Sequence, residues 1–232
     1  MKPLIFGHRG SPFEAPENTI SSIKKAIAAN VGAVEIDVHK TKDNVLVVIH
    51  DDKVDRTTNG RGFVKDFTLK DLKKLNINND EKIPTLQEII DFVKGKIKIV
   101  VEIKQKNIEK DVVSLLEKNN FIDKAYVISF YHGAVKKAKE LDNRVKTGVL
   151  FNKKVADPCS RIRGANADAI VINYKYVGIG LVKKVHKENF KVFVWNIDTI
   201  EDLKNMLKLN VDGIGSNKPG LLANYFRKQQ TL

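Results

Sequence analysis

Apolar residues recur along the chain in short, nearly continuous runs separated by longer amphipathic stretches. The runs cover residues 4–7, 33–38, 45–49, 97–103, 125–130, 147–151, 169–172, 191–195 and 213–215. Several show little polar alternation, the pattern of parallel strands buried on both faces. Between them lie helical stretches with readable starts. Thr19 precedes Ile20, Ile23, Ala26 and Ile27, and Thr68 precedes Leu69, Leu72 and Leu75. Thr85 and Glu88, just after Pro84, have the spacing of a capping box. Further helices are expected over 111–119, 133–141, 180–189 and 199–209. Such alternation predicts a parallel α/β fold, though periodicity alone does not separate a closed barrel from an open sheet.

The nine runs are one more than an eightfold barrel holds. Lys42-Asp43-Asn44 is too short for a parallel crossover, which takes a dozen residues or more. Residues 45–49 are therefore expected to fold back antiparallel on 33–38, which leaves eight barrel strands. A turn centred near Lys42-Asp43 would set His50 opposite Glu35. Residues 51–84 hold no barrel strand, and Arg56-Thr57-Thr58-Asn59-Gly60-Arg61-Gly62 within them is rich in turn formers. This stretch reads as a short insertion, or lid, over one end of the barrel.

A chain of 232 residues suits one such barrel, and 42% hydrophobic with 30% charged residues is an ordinary globular composition. The formal net charge of +13 invites an anionic partner, such as nucleic acid, phospholipid headgroups or phosphate esters. The lysines are spread along the whole chain with no dense basic block, which favours a solvated surface over a nucleic-acid site. A single cysteine, Cys159, rules out an intramolecular disulfide. No apolar run approaches the ~18 residues of a membrane span, and the start is too short in apolar residues for a signal peptide. A cytoplasmic location is expected.

Polar residues gather where the apolar runs end, as reactive groups do at the C-terminal ends of barrel strands. The first run ends in His8-Arg9-Gly10, the second carries Glu35 and Asp37, and the hairpin returns to His50-Asp51. Glu102, Lys104 and Trp195-Asn196 follow at later ends. Glu35 and Asp37, two apart on a strand, face one side, as do Glu102 and Lys104. Inward carboxylates need compensation, and hard oxygen donors suit Mg²⁺ or Ca²⁺. His8 and His50 are acid–base candidates, and Arg9 a phosphate contact. His39 is expected at the exposed hairpin tip, and His132, His186 and Cys159 receive no role.

Together these residues resemble the glycerophosphodiester phosphodiesterase family. Gly7-His8-Arg9-Gly10 followed by Pro16-Glu17-Asn18-Thr19 is similar to its opening motif. Glu35-Ile36-Asp37-Val38 with Val48-Ile49-His50-Asp51 resembles its second. Arg56–Gly60, Ile83-Pro84-Thr85-Leu86, Glu102-Ile103-Lys104, Ser129-Phe130, Trp195 and Asp212-Gly213-Ile214 continue in family order. The chain departs from the family at Trp195-Asn196-Ile197-Asp198, where Thr-x-Asn commonly follows the tryptophan. It departs again at Ser216-Asn217-Lys218-Pro219, where Thr-Asp-x-Pro is common.

The resemblance implies a single TIM (β/α)8 barrel over residues 1–232, with a short insertion after the second strand. It implies one divalent cation held by Glu35, Asp37 and Glu102, and His8 and His50 as general acid and base. Arg9 and Lys104 would contact the phosphate, and Trp195 and Phe130 would line the pocket. The implied reaction cleaves a small-molecule glycerophosphodiester to sn-glycerol 3-phosphate and an alcohol. Which histidine is the acid stays open, as do water or the glycerol 2-hydroxyl as nucleophile and the oligomeric state. Lysophospholipase D chemistry is the nearest alternative, and a basic nucleic-acid- or phosphate-ester-binding protein the alternative of another class.

Overall fold

Eight parallel strands close on themselves in the computed structural model, which describes residues 2–78 and 81–230. They are β1 (Leu4–Gly7), β2 (Ala33–Lys40), β4 (Lys98–Ile103), β5 (Ala125–Ser129), β6 (Lys146–Phe151), β7 (Ala169–Asn173), β8 (Lys191–Trp195) and β9 (Gly213–Ser216). Closure comes from β1, which pairs in parallel with both β2 and β9. The strand β3 (Leu46–Val48) stands outside the barrel, antiparallel on β2. The fold is a TIM barrel.

The helices α1 (Ile20–Ala28), α2 (Leu69–Leu72), α3 (Leu86–Val93), α4 (Glu109–Lys118), α5 (His132–Leu141), α6 (Pro158–Gly164), α7 (Ile179–Lys187), α8 (Ile200–Leu209) and α9 (Pro219–Gln230) complete the chain. Thr19, Thr68, Thr85 and Thr199 cap α1, α2, α3 and α8 with their side chains, and the Thr85–Glu88 capping box is complete. The helix α6 carries too few apolar positions to be read from periodicity, and in α9 the apolar residues are bunched over 221–226 rather than spaced as a stripe. Asp157 caps α6 and Pro158 opens it, an arrangement that starts a helix without an apolar stripe.

Two apolar layers hold the barrel. The larger lies between strands and helices, built from residues such as Ile23, Ile36, Ile90, Val101, Val127, Ile170 and Val194. The smaller fills the interior with Phe6, Ala33, Val100, Ile128, Leu150, Val171 and Phe193. Glycine lets this interior close. A Cβ on Gly215 would stand 2.5 Å from a Phe6 ring carbon, and one on Gly213 2.7 Å from Phe193.

The interior layer also sets the site. Side chains two residues further along each strand point the same way, one layer nearer the C-terminal end. That step leads from Phe6 to His8, Ala33 to Glu35, Val100 to Glu102, Ile128 to Phe130 and Phe193 to Trp195.

The hairpin corrects two expectations. Its register pairs Val38 with Val48 and Lys40 with Leu46, so His50 falls beside Ile36 rather than Glu35. The loop holds one more residue than a symmetric two-residue turn, because Asn44 takes a left-handed conformation with φ 64°. His39 is buried, not exposed, and its Nε2 donates to the His50 carbonyl at 3.1 Å. The tip lies beyond it at Lys42–Asn44. Residues 51–84 build a small core of their own on the hairpin, with Val47, Ile49, Val54, Val64, Leu72, Ile77 and Ile83.

Candidate active site

A cavity opens at the C-terminal end of the barrel. His8, Arg9, Glu35, His50, Glu102, Lys104, Phe130 and Trp195 line it, above a floor of Phe6, Ile128, Leu150 and Val171. All the sequence-predicted site residues except Asp37 line it, and Asp37 is buried beside it in the acidic cluster.

Glu35, Asp37 and Glu102 are buried, and one carboxylate oxygen from each lies within 4.8 Å of the others. Such crowding must be compensated. Lys104 Nζ lies 2.9 Å from Glu102 Oε1 and 3.6 Å from Asp37 Oδ1, and Arg9 Nε lies 3.3 Å from Asp37 Oδ2. The Arg9 backbone N–H donates to Glu35 Oε2 at 2.9 Å, from a left-handed residue with φ 53°. Asn18, also left-handed, donates its Nδ2–H to Asp37 Oδ2 at 2.8 Å.

Burial, with the Asp37 and Glu102 charges behind it, pushes the Glu35 carboxyl well above the usual range. Burial and the Asp37 charge push Glu102 up to about 7, against the pull of Lys104. For Asp37 burial pushes upward too, but the Lys104 and Arg9 cations outweigh it and hold the carboxyl down.

Three carboxylates against two cations leave one negative charge over when all are ionised. Glu35 Oε1 and Asp37 Oδ1 are buried without a hydrogen-bond partner among the described residues. Three buried carboxylates this close together, two of them with orphaned oxygens, fit a hard divalent cation.

The two histidines have different partners. His8 Nδ1 lies 2.8 Å from Asn217 Oδ1, and its Nε2 lies 4.0 Å from Glu35 Oε2. Burial, then the neighbouring Arg9 cation, lowers the His8 pKa to about 4. His50 Nδ1 lies 2.5 Å from Asp51 Oδ1, and Asp51 is gripped in turn by Arg56, Nε to Oδ2 at 2.6 Å. Arg56 hydrogen bonds, with burial opposing and His50 assisting, draw the Asp51 carboxyl down to about 2. Arg56 also reaches Glu17 Oε1 at 2.6 Å, which ties the 51–84 insertion to the loop between β1 and α1.

A family model described as the glycerophosphoryl diester phosphodiesterase family matches residues 8–221. The chain belongs to that family. Across 98% of its length this phosphodiesterase-family chain is 36% identical to the glycerophosphodiester phosphodiesterase of Caldanaerobacter subterraneus subsp. tengcongensis, covering 99% of that protein. It is 31% identical to the one from Bacillus altitudinis, with 93% of this chain and 94% of that one covered. Among solved structures it is similar to an Oleispira antarctica phosphodiesterase in complex with the product sn-glycerol-3-phosphate. There the TM-score is 0.91 and the identity 25%, over 97% of each chain.

The sequence motifs of the family contain further contacts that strand periodicity does not expose. Asn18 on Asp37 and Glu17 on Arg9 and Arg56 come from the opening motif, and only their motif membership signals them. Both departures from the family pattern meet at His8. Asn196 Nδ2 lies 3.1 Å from its Nδ1 on one side, and Asn217 holds it on the other. Asp198, three residues after Trp195, accepts from Asn217 Nδ2 and from the Asn217 backbone N–H, both at 2.7 Å. Phe130 and Trp195 meet edge to face, with ring centroids 6.3 Å apart.

Proposed function

We propose that the chain hydrolyses glycerophosphodiesters to sn-glycerol 3-phosphate and an alcohol, with Glu35, Asp37 and Glu102 holding one divalent cation, Mg²⁺ or Ca²⁺. One observation carries the reading. Two histidines with different partners line one cavity at a cluster of three buried carboxylates, two of which retain orphaned oxygens. A cation bound by these carboxylates would act as a Lewis acid on the phosphoryl oxygens.

The protein's own groups supply the proton chemistry. A carboxylate only accepts hydrogen bonds, so Asp198 turns the Asn217 amide with Nδ2 towards itself. Asn217 Oδ1 therefore faces His8 Nδ1 at 2.8 Å, closer than Asn196 Nδ2 at 3.1 Å, which supports a proton on Nδ1 and an Nε2 lone pair free in the cavity. This supports His8 as the base that takes the nucleophile's proton. The Asp51 carboxylate accepts from His50 Nδ1–H and orients the ring with Nε2 towards the cavity, which supports His50 as the acid that protonates the leaving alkoxide. Arg9 and Lys104 would contact the phosphate, and Trp195 with Phe130 would pack against the glycerol moiety. The reading takes residues 1–232 as one barrel unit, with 51–84 inserted, acting in the cytoplasm. No helix among the described residues is long and apolar enough to cross a membrane.

The test is release of glycerol 3-phosphate from glycerophosphocholine after EDTA treatment and after adding back Mg²⁺ or Ca²⁺. Activity restored by one of them is expected. Inactivity with every divalent cation would overturn the reading.

A further inference from the structure

Among the described residues, eight large hydrophobic side chains are exposed, and their placement is uneven. All but Leu141, that is Phe13, Phe63, Phe130, Tyr131, Tyr176, Ile179 and Leu221, lie in segments that follow strands at the C-terminal end of the barrel, the end where the cavity opens. Phe13 stands in the loop after β1 and is the most exposed, at 71%. Phe63 stands in the insertion, Tyr131 directly after β5, and Tyr176 and Ile179 after β7. At the opposite end of the barrel, Leu141 closes α5.

Three of these rings carry lysines. Lys218 Nζ stands 4.0 Å from the Phe13 centroid, Lys106 Nζ 5.2 Å from Tyr131, and Lys53 and Lys65 lie 4.7 and 5.4 Å from Phe63. The exposed faces of these rings bury nothing in the free protein. Single scattered apolar residues need no account, but a group of them at one end of the barrel does.

We propose that this face docks on an anionic lipid surface, with Phe13, Phe63 and Tyr131 entering the headgroup layer and their lysines meeting lipid phosphates. The pairing fits that partner. An aromatic ring is stable at the boundary between water and acyl chains, and a lysine beside it adds attraction for anionic headgroups. The net charge of +13 works in the same direction. Docked this way, the cavity faces the lipid, so a diester carried on a lipid or lysolipid reaches the site without crossing bulk water. That consequence for substrate choice rests on the hydrolase reading, whereas the docking does not.

The experiment is sedimentation of the full chain with vesicles of phosphatidylcholine alone and of phosphatidylcholine mixed with phosphatidylglycerol. Binding to the mixed vesicles that weakens with added salt is expected. The double variant Phe13→Ser, Phe63→Ser is expected to bind at least about tenfold more weakly, and Leu141→Ser to bind like the parent. Glycerophosphocholine hydrolysis checks separately that the variants are folded, and a thermal melt does so if that reaction is absent. No binding to the mixed vesicles would overturn the proposal. So would equal binding by the double variant and the parent, since the net charge alone would then account for adhesion.

Discussion

Asn217 Oδ1 lies 2.8 Å from His8 Nδ1, and its amide is held in that sense from behind by Asp198. An asparagine here can do what a carboxylate does only if its amide cannot flip. Asp198 provides that restraint with bonds to both the side chain and the backbone of Asn217. Asn217→Leu is therefore expected to lower kcat about a hundredfold while KM stays within about threefold. The double change Asn217→Asp with Asp198→Asn keeps an acceptor on His8 and a donor behind it, and should stay within about tenfold of the parent. Asp198→Asn, which frees the amide to flip, should fall between the two. Steady-state kinetics on glycerophosphocholine measures all three, and an unchanged kcat in Asn217→Leu would contradict the role.

Removing either imidazole should cost more than removing its support. His8→Ala and His50→Ala are each expected to lose at least about a hundredfold in kcat. His39 touches no substrate in this reading but holds the His50 carbonyl at 3.1 Å. His39→Ala should thus act as a positioning change, with a fall of about tenfold in kcat and about 1 kcal/mol of lost stability from the missing hydrogen bond to a part-buried carbonyl. Turnover and chemical denaturation of the same samples separate the two effects.

The acidic cluster should be a burden without a cation. Glu35→Gln removes a charge from a buried, crowded position. In EDTA this variant is expected to melt at a higher temperature than the parent, by the equivalent of about 1–2 kcal/mol. Added Mg²⁺ or Ca²⁺ should raise the parent's Tm and leave the variant nearly unmoved. Thermal melts with and without the cation read both signs, and a cation shift of equal size in both proteins would contradict the ligand set.

Glu102 sets a pH dependence of known sign. Its carboxyl rises from an ordinary 4.5 to about 7 in the folded chain. A carboxyl that holds its proton more tightly when folded stabilises below its unfolded pKa and loses that contribution as pH rises through the folded one. His8, lowered from 6.5 to about 4, has the opposite slope over much of the same range, so the total profile of the parent conceals both. The difference between Glu102→Gln and the parent isolates one of them. In EDTA the variant's stability advantage is expected to grow between about pH 4.5 and 7, by on the order of 1–3 kcal/mol. Melts across that range measure it, and a constant difference would contradict it.

Much of this architecture is legible in the sequence because strands obey a two-residue period. The apolar runs mark the eight barrel strands, and the parity of each run points His8, Glu35, Glu102, Phe130 and Trp195 inward. The short Lys42–Asn44 link marks β3 as a hairpin return. Features that depend on single backbone conformations are not legible in the same way. The hairpin register turns on the left-handed Asn44, and the burial of His39 follows from where the chain after β3 passes. The Asp198–Asn217–His8 chain joins residues up to 209 positions apart, which no local pattern reports.

The parity that aims the site residues has a consequence for how the protein can fail. A slip of β4 by one residue would turn Val101 and Ile103 into the barrel and drive Glu102 among the helices. The same slip would expel apolar side chains from the layer that holds the helices to the sheet. A barrel with one strand slipped by a single residue can therefore keep neither its cohesion nor its acidic cluster. Recovery of the cation-binding Tm shift after refolding thus serves as a built-in proofreading signal, because a strand of the wrong parity takes its carboxylate out of the cluster.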